Sequence, residues 1–444
     1  MTGWRGSIGW KLEDRFGFES GTAGQGFEYI GPGMDFTFTP DNQMKYTYTT
    51  GSKFYDTVTA GRFKGAFRGS VLLDYNHFKW LLAVFEDYHY DITNNQHVFA
   101  KSNTKKLKSF SMKAIQLNRA VGGSKDQQII YKGCVITSFQ PSYESASTAT
   151  IPCTISGVYV DEYQVLQDLE ETEFDAMEPN TPAKYPVEWG CLQVPDGTPL
   201  ANNERTGFTL NSSVSTIPTC GSRFDSDFYE GQLGVISVTS RVYSRNPETW
   251  YLRLYTGGED PTIDDSSSFQ YGPKSKNLRP LDSVSIVSTS ADSNYSCKVL
   301  FENVTVESMS KALKSGSEIV DEPTLKARKA TMYLKTPEIT ANLLSANLTG
   351  GTPGVGRVLQ DYTIQYALDS GSADPALSSF SGCDGDTFVL PTASQVTKEG
   401  YTLTSWSDGT RAYQPGATAT VNSNAVASGT TTITFTAVWT ASTQ

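Results

Sequence analysis

Apolar and polar residues alternate along most of this chain, which is the pattern of β-strands with one buried face. Segments 35–40 (DFTFTP) and 45–50 (KYTYTT) show this alternation, and 66–73 continues it. One stretch differs, because Phe78, Leu81, Leu82 and Phe85 recur at helical spacing and Asn76 is a suitable N-cap. The pattern therefore predicts a mainly-β fold with a helix beginning near Asn76.

The same pattern occurs twice. A shift of 170 positions lays Gly51 to Phe85 over Gly221 to Tyr255 without a gap. The shift matches glycines, apolar positions and the predicted helix start, since Asn246 falls on Asn76 and is followed by Pro247. A long-period duplication of this kind indicates two equivalent building blocks.

These boundaries predict two tandem β-sandwich or half-barrel domains with one helix each, followed by a smaller β-rich domain. We place domain one at 1–178, where an acidic stretch (161–178) separates it from domain two at 179–344. A Gly/Pro-rich linker follows at 345–358, and the C-terminal domain occupies 359–444.

Charge and composition narrow the functional classes. The formal net charge of −11 argues against nucleic acid as a bound ligand, because phosphate binding needs a basic surface. No apolar run reaches the roughly 18 residues of a membrane span, and the N-terminal residues lack a signal-peptide core. The six cysteines are scattered, which favours reduced thiols and folding in a cytoplasm.

A search for catalytic chemistry finds no candidate. The chain has three histidines, and neither a nucleophile elbow, a phosphate loop nor a zinc-binding histidine pair occurs. The adjacent Asp264 and Asp265 lie in a serine-rich stretch typical of a solvated turn. We therefore expect no catalytic residue, no cofactor, no metal site and no enzymatic activity.

The C-terminal segment carries a sequence pattern of its own. It contains Gly400-Tyr401, Trp406, a Tyr-x-Pro-Gly turn at 413–416 and a closing Ala-Val-Trp at 437–439. This order and spacing resembles the Listeria–Bacteroides (internalin B-type) repeat, although Ser405 replaces the glycine before the tryptophan. The resemblance implies a small β-grasp-like or immunoglobulin-like module. Its expected core is Tyr401, Trp406, Tyr413, Phe435 and Trp439.

The first 340 or so residues resemble tail tube proteins of tailed viruses, of the duplicated type. The resemblance is carried by the order of several features and by the duplication: Glu19-Ser-Gly21-Thr22, the turn Gly51-Ser52-Lys53, the strand–Asn76–helix unit, and the ending 154–160 mirrored at 330–334. It implies β-barrel-like domains joined around a ring. Two domains per chain would let three chains form a pseudo-sixfold ring, and such rings stack into a hollow tube.

The same resemblance implies partners and a location. The partners are further copies of the chain, the tape-measure, terminator and baseplate proteins of a tail, and DNA that passes through the lumen without specific binding. The location is the virion tail, assembled in a host cytoplasm. No membrane partner is expected. The C-terminal module is expected to decorate the exterior of the tube and to be dispensable for tube formation. It is also a candidate for contact with host-surface glycans.

Contacts between stacked rings are expected in two long loops, 39–60 and 213–230. A loop of about 20 residues is uncommon in a compact domain unless it has a partner. The candidate contact residues are Tyr46, Tyr48, Lys53, Phe54, Tyr55, Phe224, Asp225 and Tyr229.

Two other functional classes stay open from the sequence. One is a surface adhesin, suggested by the C-terminal repeat and opposed by the missing signal-peptide core. The other is a virion protein that binds or degrades carbohydrate, suggested by the abundance of Tyr and Trp and opposed by the lack of an acid/base pair.

Overall fold

The computed structural model confirms a mainly-β fold. It describes residues 5–19, 25–33, 35–48, 50, 53–55, 57–117, 126–144, 151–166, 190–193, 203–231, 235–243, 280–289, 294–312, 320–349, 358–426 and 429–442. Helices in this part of the chain are short: the 3-10 helices Lys79–Ala83 and Ser423–Ala425 and the α-helical turn Ala346–Thr349.

The first repeat, called copy one here, folds into strands that follow the predicted alternation. In β7, for example, every second residue from Gly65 to Val71 is buried. The strands are β1 (Arg5–Arg15), β2 (Phe18–Glu19), β3 (Glu28–Tyr29), β4 (Asp35–Asp41), β5 (Lys45–Thr47), β6 (Thr57–Thr59), β7 (Lys64–Leu72), β8 (Asp87–Asp91), β9 (Gln96–Ala100), β10 (Phe110–Leu117), β11 (Gln127–Glu144), β12 (Pro152–Tyr159) and β13 (Asp161–Leu166).

The second repeat, copy two, has the same succession of main strands. Its described strands are β14 (Gly190–Gln193), β15 (Asn203–Asn211), β16 (Val214–Pro218), β17 (Asp225–Glu230), β18 (Ile236–Tyr243), β19 (Leu281–Thr289), β20 (Ser296–Ala312), β21 (Val320–Ala327) and β22 (Lys329–Lys335).

Each copy consists of two sheets that share one long strand. In copy one, β1, β10 and β13 surround the first half of β11, while β4, β7 and β12 form a sheet with its second half. In copy two, β14, β19 and β22 join the first half of β20, and β15, β18 and β21 form a sheet with the second half. The duplication seen in the sequence is therefore a duplication of topology.

The irregularities of the two copies also coincide. The register between β11 and β12 shifts between Ile136 and Ser138, and the register between β20 and β21 shifts between Val306 and Ser308. Both positions differ by the 170 residues found from the sequence. A bulge bends its strand and re-aims the side chains that follow it, so the shared long strands turn from one sheet into the other at equivalent points.

The predicted helix is shorter than the apolar spacing suggested. The structure has a single 3-10 turn at Lys79–Ala83, whose residues are all buried, and Phe78 at its N-terminus gives no side-chain cap. Asn76 is not the cap; instead, a carboxylate oxygen of Asp74 accepts hydrogen bonds from the backbone amides of Asn76 and His77, each at 2.7 Å. Burial on every side leaves no solvated face for a longer amphipathic helix. The corresponding prediction at Asn246 lies outside the described residues.

The chain divides into two compact units, which differ from the predicted domains. Unit 1 comprises Met1–Asp87 and Phe99–Leu334, so it holds both copies; unit 2 comprises Tyr88–Val98 and Lys335–Gln444. A hairpin from the first repeat thus belongs to the C-terminal unit, and the chain passes between the units three times.

Unit 2 is built around its own five-stranded sheet. The additional strands are β23 (Asp361–Ala367), β24 (Ser372–Ala373), β25 (Phe380–Cys383), β26 (Thr387–Val389), β27 (Val396–Thr397), β28 (Tyr401–Ser407), β29 (Ala412–Tyr413), β30 (Thr418–Thr420) and β31 (Thr432–Ala441). The sheet has the order β25–β23–β31–β28–β29, in which β23 and β31 are parallel. One buried cluster, which includes Ile364, Leu403, Trp406 and Phe435, forms its core.

Candidate assembly surfaces

The two copies are joined within the chain by a strand pair. The second half of β11 pairs antiparallel with β15, with Ser138 opposite Asn211, Phe139 opposite Leu210 and Tyr143 opposite Thr206. This pair, called the in-chain joint here, makes one continuous sheet of eight strands in the order β4–β7–β12–β11–β15–β18–β21–β20. The copies therefore share backbone hydrogen bonds.

Aromatic packing covers the in-chain joint on one face. The ring of Phe139 in copy one lies 5.8 Å from that of Phe208 in copy two, and both residues are buried. Phe139 also contacts Trp80 at 5.7 Å, and Phe208 contacts Phe301 at 5.3 Å, each in an edge-on geometry. These rings link the core of copy one to that of copy two, with the preferred geometry of aromatic pairs.

A lysine of copy one adds a polar contact at the in-chain joint. Lys101 pairs with the buried carboxylate of Glu86 and donates to Ser212 Oγ of copy two at 3.0 Å. The Ser212 amide donates to the carbonyl oxygen of Thr137 at 2.8 Å, which extends the ladder between β11 and β15. The joint thus contains backbone, aromatic and charged contacts.

The two segments predicted as stacking loops are hairpins. Arm one (the described residues of 42–61) contains the pair β5–β6, and arm two (213–231) contains the pair β16–β17. The expectation that each loop lacks a partner of its own is therefore wrong, because each arm satisfies part of its backbone in its own ladder.

The arms still expose large apolar side chains. Tyr46, Tyr48, Tyr55 and Tyr229 are all more than half exposed, and Phe54 is 80% exposed. Tyr46 and Tyr55 contact each other with ring centroids 5.1 Å apart. Clusters of exposed aromatic residues are typical of surfaces that bind a protein partner.

The base of arm one is bound to arm two by two arginines. The Arg62 guanidinium pairs with Asp225 and donates to the carbonyl oxygen of Thr216 at 3.1 Å. From the other side, Arg223 Nε donates to the carbonyl oxygen of Gly61 at 3.1 Å, and its Nη2 donates to Asn42 Oδ1 at 2.8 Å.

This arrangement changes the interpretation of two candidate stacking residues. Asp225 is buried and holds Arg62, so it is not an exposed contact residue. Phe224 is 40% exposed and packs on Phe63 with ring centroids 5.8 Å apart, so part of its surface already serves a contact between the copies. Lys53, at the position equivalent to Arg223, is exposed.

The roles of the two arginines and of the joining strands were not predicted from the sequence. One available signal was the pair Gly61 and Gly231, which the repeat alignment places at the bases of the arms. In the structure, the Gly61 amide donates to the carbonyl oxygen of Asn42 and the Gly231 amide donates to that of Ser213. The equivalent positions mark where each arm leaves its sheet.

The predicted core of the C-terminal module needs one correction. Trp406 and Phe435 lie in the buried cluster, while Tyr413 and Trp439 are partly buried against it. Tyr401 is 46% exposed, because it begins β28 at the end of the sheet, beyond the core. The ammonium of Lys398 lies 4.8 Å from the centre of its ring.

A buried carboxylate holds three segments of unit 2 together. Asp386 accepts hydrogen bonds from the backbone amides of Tyr90 and Cys383, each at 2.8 Å, and from Asn342 Nδ2 at 2.6 Å. Burial raises the pKa of Asp386 to about 6, although these donors favour the ionised form. The hairpin 88–98 is thereby fixed to the C-terminal module, and the backbone pairing of Asp91 with Thr387 reinforces the attachment.

The predicted linker at 345–358 is described only at its ends. Ala346–Thr349 forms a helical turn, and Ser345 bridges to Leu359, whose amide donates to the carbonyl oxygen of Leu344 at 2.6 Å. The Gly/Pro-rich centre, 350–357, lies outside the described residues.

The histidines occupy local structural positions. His77 Nδ1 lies 3.0 Å from Asp74 Oδ2, and buried His97 contacts the hydroxyl of Tyr88 and the carbonyl oxygen of Ile339. Among the described residues, no group of His, Cys, Asp or Glu side chains is arranged to hold a metal ion. A search of the same residues finds no helix long and apolar enough to cross a membrane.

No protein-family model matches the chain, and no curated protein matches it.

Proposed function

We propose that this protein is a structural, non-enzymatic tail tube protein whose copies assemble into stacked rings. The observation that carries the proposal is the in-chain joint, which continues the sheet of one copy directly into that of its equivalent. A building block that joins its own duplicate through strand edges can join further duplicates in the same way.

Three chains supply six equivalent copies, which is the number that the resemblance to duplicated tail tube proteins suggests for one ring. Closing the ring pairs strand edges that would otherwise be open to uncontrolled association. A formal net charge of −11 is suited to a conduit through which DNA moves, since like charge opposes adhesion. The further partners are then the tape-measure, terminator and baseplate proteins, and the location is the virion tail.

The exposed aromatic residues of the two arms are the proposed contact between successive rings. Tyr46, Tyr48 and Phe54 of arm one and Tyr229 of arm two are each more than half exposed. Burying such side chains removes apolar area from water, at about 25 cal/mol per Å². Repeated in every copy around a ring, this contribution favours a stack over single rings.

Unit 2 is the proposed exterior decoration, with Tyr401 a candidate for contact with host-surface glycans. Its removal requires more than truncation, because the hairpin 88–98 belongs to the same unit. A suitable deletion ends the chain after Leu334 and replaces 88–98 with a short turn. Tubes formed by this variant would support a dispensable decoration, whereas a folded variant that forms none would place unit 2 in the assembly.

Electron microscopy and mass measurement of the purified chain test the proposal. We expect rings or tubes, with a trimer as the smallest closed species. Serine at Tyr46 and Tyr48 should leave rings that do not stack, while the control Tyr401→Ser should form normal tubes. Stable monomers at high concentration, with a tail initiation complex added, would refute the proposal; monomers that cleave glycans would instead indicate a carbohydrate-active protein.

A further inference from the structure

From the in-chain joint we infer the joint between chains: β20 of one copy of this protein pairs with β4 of a second copy, and arm one of the second chain clasps arm two of the first. This inference rests on the self-assembly in the proposed function, and it adds the interacting surfaces, their register and their direction.

The first surface is the outer edge of β20. In copy one, the second half of β11 has β12 on one side and β15 on the other. Its equivalent in copy two, the second half of β20, has β21 on one side, and the described residues place no strand on the other. Ser308 and Ser310 are both exposed on this half. The edge that joins the copies is therefore repeated at the end of the eight-stranded sheet.

The second surface is the outer edge of β4. Its equivalent in copy two, β15, lies between β11 and β18, whereas in the described part of the chain β4 pairs with β7 alone. The burial of side chains on the two strands reflects this difference in pairing. Phe208 and Leu210 of β15 are buried at the in-chain joint, whereas on the same face of β4 Phe38 is only partly buried and Pro40 is exposed.

The two edges are complementary because they are the two halves of one joint. Thr206 lies opposite the buried Ser240 and Phe36 lies opposite the buried Gly69, so positions 206 and 36 are equivalent and Phe208 falls on Phe38. This alignment equates Asn211 with Asp41, and the matching bulges equate Ser138 with Ser308. The observed pair Ser138–Asn211 therefore predicts Ser308 of one chain opposite Asp41 of the next.

Hydrogen-bonding groups point in the required direction. Backbone groups alternate along a strand, and the Ser212 amide donates to β11, so those of Phe208 and Leu210 also face β11. In β4 the Asp35 carbonyl oxygen points toward β7, because it would lie 2.5 Å from a Cβ at Gly69. The alternation therefore turns the backbone groups of Phe36 and Phe38 outward. Lys311 occupies the position of Pro141, so the ladder between chains gains an amide there, while Pro40, at the position of Leu210, supplies none.

The arms supply the second contact. In the chain, Arg223 of arm two binds Gly61 and Asn42 at the base of arm one. The equivalent residue of arm one is Lys53, and the equivalent base is Gly231 with Ser213, where the same amide-to-carbonyl bond is present.

Lys53 makes no hydrogen bond or ion pair with the described residues. Phe54 is twice as exposed as its equivalent Phe224, which packs on the neighbouring copy (80% against 40%). We assign Lys53 and Phe54 to the contact with the preceding chain, rather than to ring stacking alone.

Engineered disulfides test the register. In a Cys220→Ser background, which removes an exposed native thiol, the full chain carries Asp41→Cys and Ser308→Cys. Ser138→Cys with Asn211→Cys is the positive control within one chain. Asp41→Cys with Ser310→Cys is the control for a slip of two residues. Directly opposed residues of an antiparallel pair lie about 4.5 to 5.5 Å apart, which a disulfide spans.

We expect covalent multimers from the 41/308 pair, ending at the trimer if the ring closes, and few from the 41/310 pair. Lys53→Ala should weaken association of the uncross-linked chain about tenfold, as expected for the loss of a charged hydrogen bond. Rings without 41/308 cross-links would overturn this register while leaving the proposed function intact. Monomers without cross-links would overturn both, and multimers well beyond three would keep the strand pairing but replace the ring with an open filament.

Discussion

The packing between Phe139 and Phe208 predicts energetic coupling between the two copies. Phe208→Leu keeps the site apolar and close in volume, but removes two ring contacts, one with Phe139 and one with Phe301. An aromatic pair contributes about 0.5–1.5 kcal/mol beyond its buried area. We therefore expect Phe208→Leu to lower the free energy of unfolding of unit 1 by about 1–3 kcal/mol, and Phe139→Leu to have a similar effect.

The double variant should cost less than the sum of the single variants, because the contact between Phe139 and Phe208 can be lost only once. The expected coupling energy is about 0.5–1.5 kcal/mol. Denaturant titrations of the four proteins, followed by tryptophan fluorescence at low protein concentration, measure it. Phe110→Leu combined with Phe208→Leu is the control, since the ring of Phe110 packs on Phe67 within copy one.

Additivity of Phe139→Leu and Phe208→Leu to within about 0.3 kcal/mol would refute this reasoning. The two copies would then be separate cores that touch without sharing stabilisation. In that case the in-chain joint would be a weak guide to a joint between chains. Coupling as large in the control pair would also contradict the interpretation, because it would indicate a change in the whole unit rather than a local contact.

Three further outcomes are expected. Gly157→Ala should destabilise unit 1 by about 1–3 kcal/mol in a thermal melt, because its Cβ would lie 2.1 Å from a backbone oxygen, whereas Gly6→Ala, with 3.5 Å of clearance, should be close to neutral. Arg62→Ala should cost about 3–5 kcal/mol and open arm two to proteolysis, because it leaves the buried Asp225 without its cation; an unchanged digestion pattern would contradict this. The stability of unit 2 should fall by about 3 kcal/mol as the pH rises from about 4 to 6, because the folded state holds a proton on Asp386 that the unfolded chain releases near its ordinary pKa of 3.8. Asp386→Asn should remove that part of the pH profile, and an identical profile in the variant would refute the assignment.

The sequence was informative wherever a local rule acts. Alternation in 35–40 and 66–73 predicted strands that the structure contains, and the two bulges found in the structure lie at positions related by the same shift of 170 residues. Short-range spacing also suggested a helix near Asn76, but the tertiary environment decided the outcome. Packing on all sides limits the helix to the single turn Lys79–Ala83, and the local sequence pattern does not show that this segment is buried.

Contacts between distant segments could not be read from the sequence. The pairing of Arg62 with Asp225 spans the two copies, and neither residue is distinguished by its neighbours along the chain. The position of Tyr401 shows the same limit, because aromatic residues of one motif were assigned to the core together. A side chain at the end of a sheet is more exposed than one at its centre, and the motif does not show which position a residue takes.

The discontinuity of unit 2 constrains how this protein can be altered by recombination. A module attached at one point is exchanged by one crossover in its linker. Here the Tyr90 amide donates to Asp386, so the hairpin 88–98 packs against the native C-terminal segment. A C-terminal segment from another protein would lack the matching acceptor for this hairpin. A successful exchange must replace the insert between residues 88 and 98 together with the distant tail. Chimaeras cut only near residue 345 should consequently fail at folding, and lineages that carry this arrangement should inherit the two stretches as a matched set.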